Sequence, residues 1–134
     1  MTRASYEISI ETTFSASHQL RDYKAPLEPL HGHNFRVEVF VATDADALPA
    51  SGYVMDFLEL EALLKEVVAP FDHRHLNDLA PFDALNPTTE NMARFFFEEL
   101  AKALPIGVSL RRVRVWEAPT YSATYGLGSG SGVE

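Results

Sequence analysis

Polar and apolar residues alternate between Tyr6 and His18. Tyr6, Ile8, Ile10, Phe14, Ala16 and His18 share one parity, and Glu7, Ser9, Glu11, Thr13, Ser15 and Ser17 share the other. This period of two predicts a half-buried strand. Residues 31–42 alternate in the same way, with His31, His33, Phe35, Val37, Val39 and Val41 on one side. Residues 19–30, with Pro26, Pro29 and several charges, predict a loop, and Thr43 to Gly52, with Pro49, a second one. At Asp56 the period changes. Leu60, Leu63, Leu64, Val67 and Val68 recur at helical spacing, Asp56 can cap, Glu59 three residues on gives a capping-box pattern, and Pro70 ends the helix. Residues 71–87 read as irregular. A second helix is expected from Thr88 or Thr89, where a hydroxyl can cap, with Met92, Phe95, Phe96, Leu100 and Ala103 as its apolar stripe and Pro105 and Gly107 as its stop. Strands are expected over 108–117, with Val113, Val115 and Glu117 on one face, and over 121–125.

The order of two strands, two helices and two strands predicts an α+β fold, a four-stranded antiparallel sheet with two helices on one face. So small a sheet leaves edges and one face exposed, and assembly is one way to cover them. Residues 1–125 are expected to form one domain and the Gly/Ser-rich 126–134 a flexible tail.

The 134 residues, 46% of them hydrophobic, suit one domain with its own core. A net charge of -8 leaves no basic stripe for nucleic acid. Any anionic ligand must then be held by a few local cations or helix N-termini. The chain has no cysteine, which excludes disulfides, thiolate metal ligands and a cysteine nucleophile. No stretch approaches membrane-spanning length and the first residues lack the apolar core of a signal peptide, so a soluble cytoplasmic protein is expected.

The candidate chemistry begins with His18, His31 and His33. Strand residues two apart face the same side, so His31 and His33 project together, and His18 has the core-face parity of its own strand. Gly32 between them lets a backbone approach closely. Unpaired imidazoles on an apolar face are costly to bury, and a metal removes that cost; an all-nitrogen set favours zinc, with a fourth position left for water or substrate. Glu117 sits at a strand end on the apolar parity. It is either turned to solvent or accepts hydrogen bonds from a ligand with adjacent N–H groups. Asp72-His73 is either a polar loop or an orienting, proton-transferring pair. Glu28, three residues before His31, is either an exposed loop residue or a general base near the metal. Arg21, Lys24, Arg36 and Arg74 are the cations available for an anionic group.

Six segments in order resemble the 6-pyruvoyl-tetrahydropterin synthase / 6-carboxytetrahydropterin synthase family. They are Phe14-Ser15-Ala16-Ser17-His18, Leu30-His31-Gly32-His33-Asn34-Phe35, Val54-Met55-Asp56-Phe57, Phe71-Asp72-His73-Arg74-His75-Leu76-Asn77, Asn86-Pro87-Thr88-Thr89-Glu90-Asn91 and Trp116-Glu117-Ala118-Pro119-Thr120. The resemblance implies a tunnelling fold in which each subunit's sheet joins a trimeric barrel, two trimers usually stacking as a hexamer. It implies zinc on His18, His31 and His33, a pterin ring anchored by Glu117 and lined by Thr88 and Thr89, and Asp72 and His73 as a proton-transfer pair. The implied substrate is 7,8-dihydroneopterin triphosphate.

One departure redirects the implied activity. Typical members carry a catalytic cysteine four residues before the first histidine of His-Gly-His; here that residue is Leu27, which cannot transfer a proton. Glu28 stands next to it. This resembles the subgroup in which a glutamate replaces the cysteine and the substrate side chain is cleaved to 6-hydroxymethyl-7,8-dihydropterin, on a folate route. The alternatives are 6-pyruvoyl- or 6-carboxy-tetrahydropterin synthase chemistry, on a biopterin or queuosine route, or a non-catalytic pterin-binding protein.

Overall fold

The computed structural model describes residues 3–127. The chain runs β1 (Ser5–His18), β2 (His31–Asp44), α1 (Phe57–Val68), β3 (Arg74–His75), α2 (Thr89–Ala101), β4 (Ser109–Ala118) and β5 (Tyr121–Gly126), with single 3-10 turns at Ala45–Ala47, Ala69–Phe71 and Leu76–Asp78. Residues 128–134 of the expected tail lie outside the described residues.

The expected four-stranded antiparallel sheet is instead a mixed sheet of five strands in the order β3-β1-β2-β4-β5. β1–β2, β2–β4 and β4–β5 pair antiparallel, whereas β3 runs parallel to β1 through Ala16↔Arg74 and Ser17↔His75. The extra strand lies in the segment expected to be irregular, because two residues cannot display a period. Long-range bonds hold it: His73 N–H donates to the Ser15 carbonyl at 2.6 Å, and Ser15 N–H donates to Asp72 Oδ1 at 2.9 Å.

The predicted parity is the observed one. Phe14, Ala16 and His18 of β1, Phe35, Val37, Val39 and Val41 of β2, and Val113 and Val115 of β4 are buried. All but His18 belong to one core with Leu60, Leu64 and Val68 of α1 and Met92, Ala93, Phe96, Phe97 and Leu100 of α2. The opposite sheet face carries cross-strand ion pairs, Glu7 with Arg112 and Glu11 with Arg36. The α2 stripe differs in detail. Ala93 and Phe97 are buried, Phe95 is half-buried, and Ala103 lies past the helix end and is exposed. Asp56 caps α1 by accepting from Leu58 N–H at 2.8 Å, and Thr88 caps α2 by accepting from Asn91 N–H at 3.1 Å. Glu59 returns no bond to Asp56 among the described residues, so α1 has a single cap rather than a capping box.

The loop between β1 and β2 is clamped by amide side chains that imitate strand pairing. Asn77 accepts from Gln19 N–H at 2.9 Å and donates to its carbonyl at 2.8 Å; Asn86 does the same for Arg21 at 2.8 and 2.9 Å. These bonds hold the segment carrying Glu28 against the end of the sheet. No helix among the described residues is long and apolar enough to cross a membrane.

Candidate metal centre

His18 is the last residue of β1 and His31 the first of β2, and the two face each other in the ladder, with His33 opposite Ala16. The antiparallel register therefore delivers three imidazoles to one end of the core face. Ring centroids are 4.7 Å apart for His18 and His31, 4.8 Å for His31 and His33, and 5.2 Å for His18 and His33. His18 is fully buried; His31 and His33 are half-buried.

Backbone carbonyls orient two of the rings. His18 Nδ1 lies 2.8 Å from the Pro87 carbonyl, and His31 Nδ1 lies 2.9 Å from the Pro29 carbonyl. A carbonyl only accepts, so each Nδ1 carries a proton and the neutral ring turns a lone pair outward at Nε2. Those Nε2 atoms are 3.1 Å apart. Two lone pairs cannot bond each other, and a cation between them satisfies both. His33 Nε2 is buried and has no hydrogen-bond partner among the described residues. Glu117 Oε1 lies 3.4 Å from both His18 Nε2 and His33 Nε2. The four donor atoms are all within 4.8 Å of one another. Burial lowers the pKa of His18 and of His33, against the opposing pull of Glu117, and so favours the neutral, ligating form. The residues present fit a divalent metal ion, with the Pro87 and Pro29 carbonyls as the outer partners that fix ring orientation.

Among the predicted site residues, His18, His31, His33 and Glu117 converge. Glu28 comes beside them: its Oε1 accepts from Leu20 N–H at 2.9 Å and lies 3.7 Å from His31 Nδ1. Its second carboxylate oxygen accepts no hydrogen bond among the described residues. Leu27, at the cysteine position, is exposed. Asp72 and His73 form a pair of their own, Nδ1 to Oδ1 at 3.1 Å, on the edge of β1. The Ser15 N–H holds the Asp72 carboxyl below its ordinary pKa. His73 has a left-handed backbone, φ 61°, and an exposed ring. It shares a groove with His33 but contacts none of the cluster nitrogens. Thr88 and Thr89 start α2 directly after Pro87, whose carbonyl orients His18; the Thr88 hydroxyl acts as the cap, and the Thr89 hydroxyl donates to Glu90 at 3.2 Å.

Sequence reasoning did not single out the carbonyls of Pro29 and Pro87, nor Asn77 and Asn86 as clamps. The carbonyls leave no trace in side-chain identity. The two asparagines, each next to a proline or a leucine in a polar loop, become partners of Gln19 and Arg21 only through a contact 58 or 65 residues away.

A strand-borne trio of imidazoles with a carboxylate, at the end of a helix-backed sheet, defines a candidate metalloenzyme of the α+β class. The chain belongs to the 6-pyruvoyl tetrahydropterin synthase family, which matches residues 7–127. It is 42% identical over 110 residues to a putative 6-carboxy-5,6,7,8-tetrahydropterin synthase of Archaeoglobus fulgidus, covering 82% of this chain and 86% of that one. It is 40% identical over 110 residues to the dihydroneopterin monophosphate aldolase of Pyrococcus furiosus, covering 82% and 88%. Among solved structures, Caenorhabditis elegans 6-pyruvoyl tetrahydropterin synthase superposes with a TM-score of 0.79 at 28% identity, covering 96% of this chain and all of that one.

Proposed function

We propose that this protein is a zinc-dependent pterin lyase that cleaves the side chain of a phosphorylated 7,8-dihydroneopterin, the triphosphate above all, to give 6-hydroxymethyl-7,8-dihydropterin. The observation that carries the reading is the Leu27-Glu28 pair: no thiol is available, and a carboxylate stands 3.7 Å from a ring of the candidate metal centre. A relative named for aldolase activity on dihydroneopterin monophosphate supports it.

His18, His31 and His33 would hold the metal, which when bound supplies Lewis-acid polarisation of a substrate oxygen. Glu28 takes the proton of the side-chain 2'-hydroxyl with its free oxygen. The carbon–carbon bond between C1' and C2' then breaks, the 2' carbon leaves as an aldehyde, and the electron pair passes into the ring imine next to C1'. A proton returned to C1' completes the hydroxymethyl group. Asp72 and His73 are the candidates for holding that proton. Glu117 anchors the pterin ring through its adjacent N–H groups, and Thr88 and Thr89 line its pocket. The family resemblance supports assembly of the sheets into a trimer or hexamer barrel.

Incubation of the zinc-loaded protein with dihydroneopterin triphosphate and monophosphate, followed by mass spectrometry of the released pterin, tests the reading; 6-hydroxymethyl-7,8-dihydropterin is expected. The second reading, favoured by the Archaeoglobus fulgidus relative, is synthase chemistry, and a 6-pyruvoyl or 6-carboxy product would replace the first. Binding of a pterin without any turnover would point to a non-catalytic homologue. The variant Glu28→Ala is expected to lose about 10²–10⁴-fold in turnover with its metal content unchanged, and normal turnover in that variant would remove Glu28 from the mechanism.

A further inference from the structure

We propose that Asn86 is a positioning residue: its side-chain amide fixes where the Glu28 carboxylate stands relative to the metal cluster. That role rests on the lyase reading above, in which Glu28 is the base, and adds what aims the base.

Residues 19–21 follow β1 directly but lie outside the sheet. In extended backbone, successive residues turn their N–H and C=O groups to opposite sides. The partners alternate accordingly. Gln19 and Arg21 each give both main-chain groups to an amide side chain, Asn77 for the first and Asn86 for the second. Leu20, between them, gives both of its groups to Glu28. Its N–H donates to Glu28 Oε1 at 2.9 Å, and its carbonyl accepts from Glu28 N–H at 2.9 Å. Gln19 Nε2 donates to the Glu28 carbonyl at 3.1 Å. Glu28 is thus held at its N–H, its carbonyl and one carboxylate oxygen, all by residues 19 and 20. Where Leu20 stands decides where the base stands.

The two flanks of Leu20 are not held equally. Gln19 adjoins His18, which the ladder pairs with His31, so β1 itself locates it. Arg21 is two residues further out. Among the described residues its main chain has Asn86 and an isolated bridge to Leu27, which belongs to the same loop. Its guanidinium donates to the carbonyls of Phe82, Asp83 and Leu85 at 2.9, 3.4 and 3.3 Å. A side chain with several rotatable bonds tethers the segment without fixing its main chain. Asn86 does fix it, with a donor and an acceptor on one short, planar amide.

Asn86 is itself fixed by the start of α2. Its carbonyl accepts from Asn91 Nδ2 at 2.9 Å and from Thr88 N–H at 2.8 Å. The next residue, Pro87, is buried, and its carbonyl lies 2.8 Å from His18 Nδ1. Two adjacent residues therefore reach both halves of the site. The Asn86 amide holds the unit of Leu20 and Glu28, and the Pro87 carbonyl orients a ring of the metal cluster. The bonds that fix Pro87 run through the Asn86 main chain, so loss of the amide releases the base and leaves His18 in place.

In the zinc-loaded protein, Asn86→Ala is expected to lower kcat about ten- to a hundredfold, as a misplacement near 1 Å does, with KM and bound zinc unchanged. Asn77→Ala removes the same two bonds from Gln19 and is the matched control for lost stability; its kcat is expected to fall less. An equal fall in both variants overturns the proposal. Glu28→Gln keeps an oxygen for Leu20 and removes the base. In that background the further cost of Asn86→Ala is expected to shrink to within about twofold, because the placement of a group that takes no proton does not matter. An undiminished cost, or loss of zinc from Asn86→Ala, marks a merely structural role and overturns the proposal. Amide hydrogen exchange separates the two readings. Exchange at Leu20 is expected to quicken at least about tenfold in Asn86→Ala, as in Glu28→Ala. That result supports the placement even where no pterin is turned over and the lyase reading falls. Unchanged exchange in Asn86→Ala overturns the placement and leaves the lyase reading standing.

Discussion

One face of β1 and β2 contains two regions that obey the same parity and have opposite fates. In the middle, Phe14, Phe35, Val37 and Val39 are buried and satisfied by contact with α1 and α2. At the end, His18, His31 and His33 continue the same alternation, but the Nε2 lone pairs of His18 and His31 face each other, and His33 Nε2 is buried without a hydrogen-bond partner among the described residues. Apolar side chains need only neighbours. Imidazoles in the same position need a specific partner, because a buried polar atom without one costs about 1–3 kcal/mol. The contrast shows how a binding site can be made from a hydrophobic strand by changing the residues at its last turns of register while leaving the backbone pattern untouched. Phe35 joins the regions: it stacks on Phe14 at 5.1 Å and meets the edges of His18 and His33 at 5.5 and 5.3 Å.

The strongest break in that contrast removes a ligand. His18→Ala is expected to lower metal affinity by far more than the 10–100-fold typical of losing an outer-shell partner, and to take turnover to background. Titration calorimetry and metal analysis of the purified variant check this, and retained stoichiometric metal would mean that the cluster is not the metal site. Next comes the shared residue. Phe35→Ala is expected to cost about 3–5 kcal/mol of unfolding free energy, read from denaturant titration. All of its ligands remain, so added metal should still stabilise it, by about 2.7 kcal/mol at a hundredfold excess over Kd.

The smallest effect is the pH dependence, and it sharpens the contrast rather than breaking it. Burial holds His18 and His33 below the ordinary histidine pKa. The unfolded chain therefore takes up protons first, so stability is complete above about pH 6.5 and falls as pH drops towards the depressed folded values. The metal-free protein should show a declining Tm over that window, and His33→Gln should flatten the decline. Asp72 titrates separately. Its carboxyl is lowered by the Ser15 N–H, so its contribution is present above about pH 4 and lost as pH falls through the folded value. Asp72→Asn should change only that acid limb. A pH-independent Tm between 7 and about 5 would show that the imidazoles are not held in the neutral form by burial.

Much of the fold is legible in the residues. Period two predicts β1 and β2, and period 3.6 predicts α1 and α2, because each element buries one face and the spacing of apolar side chains records which. Asp56 and Thr88 mark the helix starts because their side chains have a local acceptor role. β3 is not legible, since its two residues are defined by pairing with Ala16 and Ser17 of β1, far away in the chain. Nor is Ala103, whose apolar character continues the α2 stripe after the helix has stopped.

By itself the sequence determined that three histidines share a strand face, that no thiol is present and that Glu28 stands beside Leu27, because parity and residue chemistry are local properties. Tertiary structure decided the rest: that His18 meets His31 across the ladder, that the Pro87 and Pro29 carbonyls choose the tautomers, and that Glu117 closes on His33 from β4. These are distances between residues far apart in the chain, set by strand register and by the packing of the helices behind it, and no local pattern encodes them.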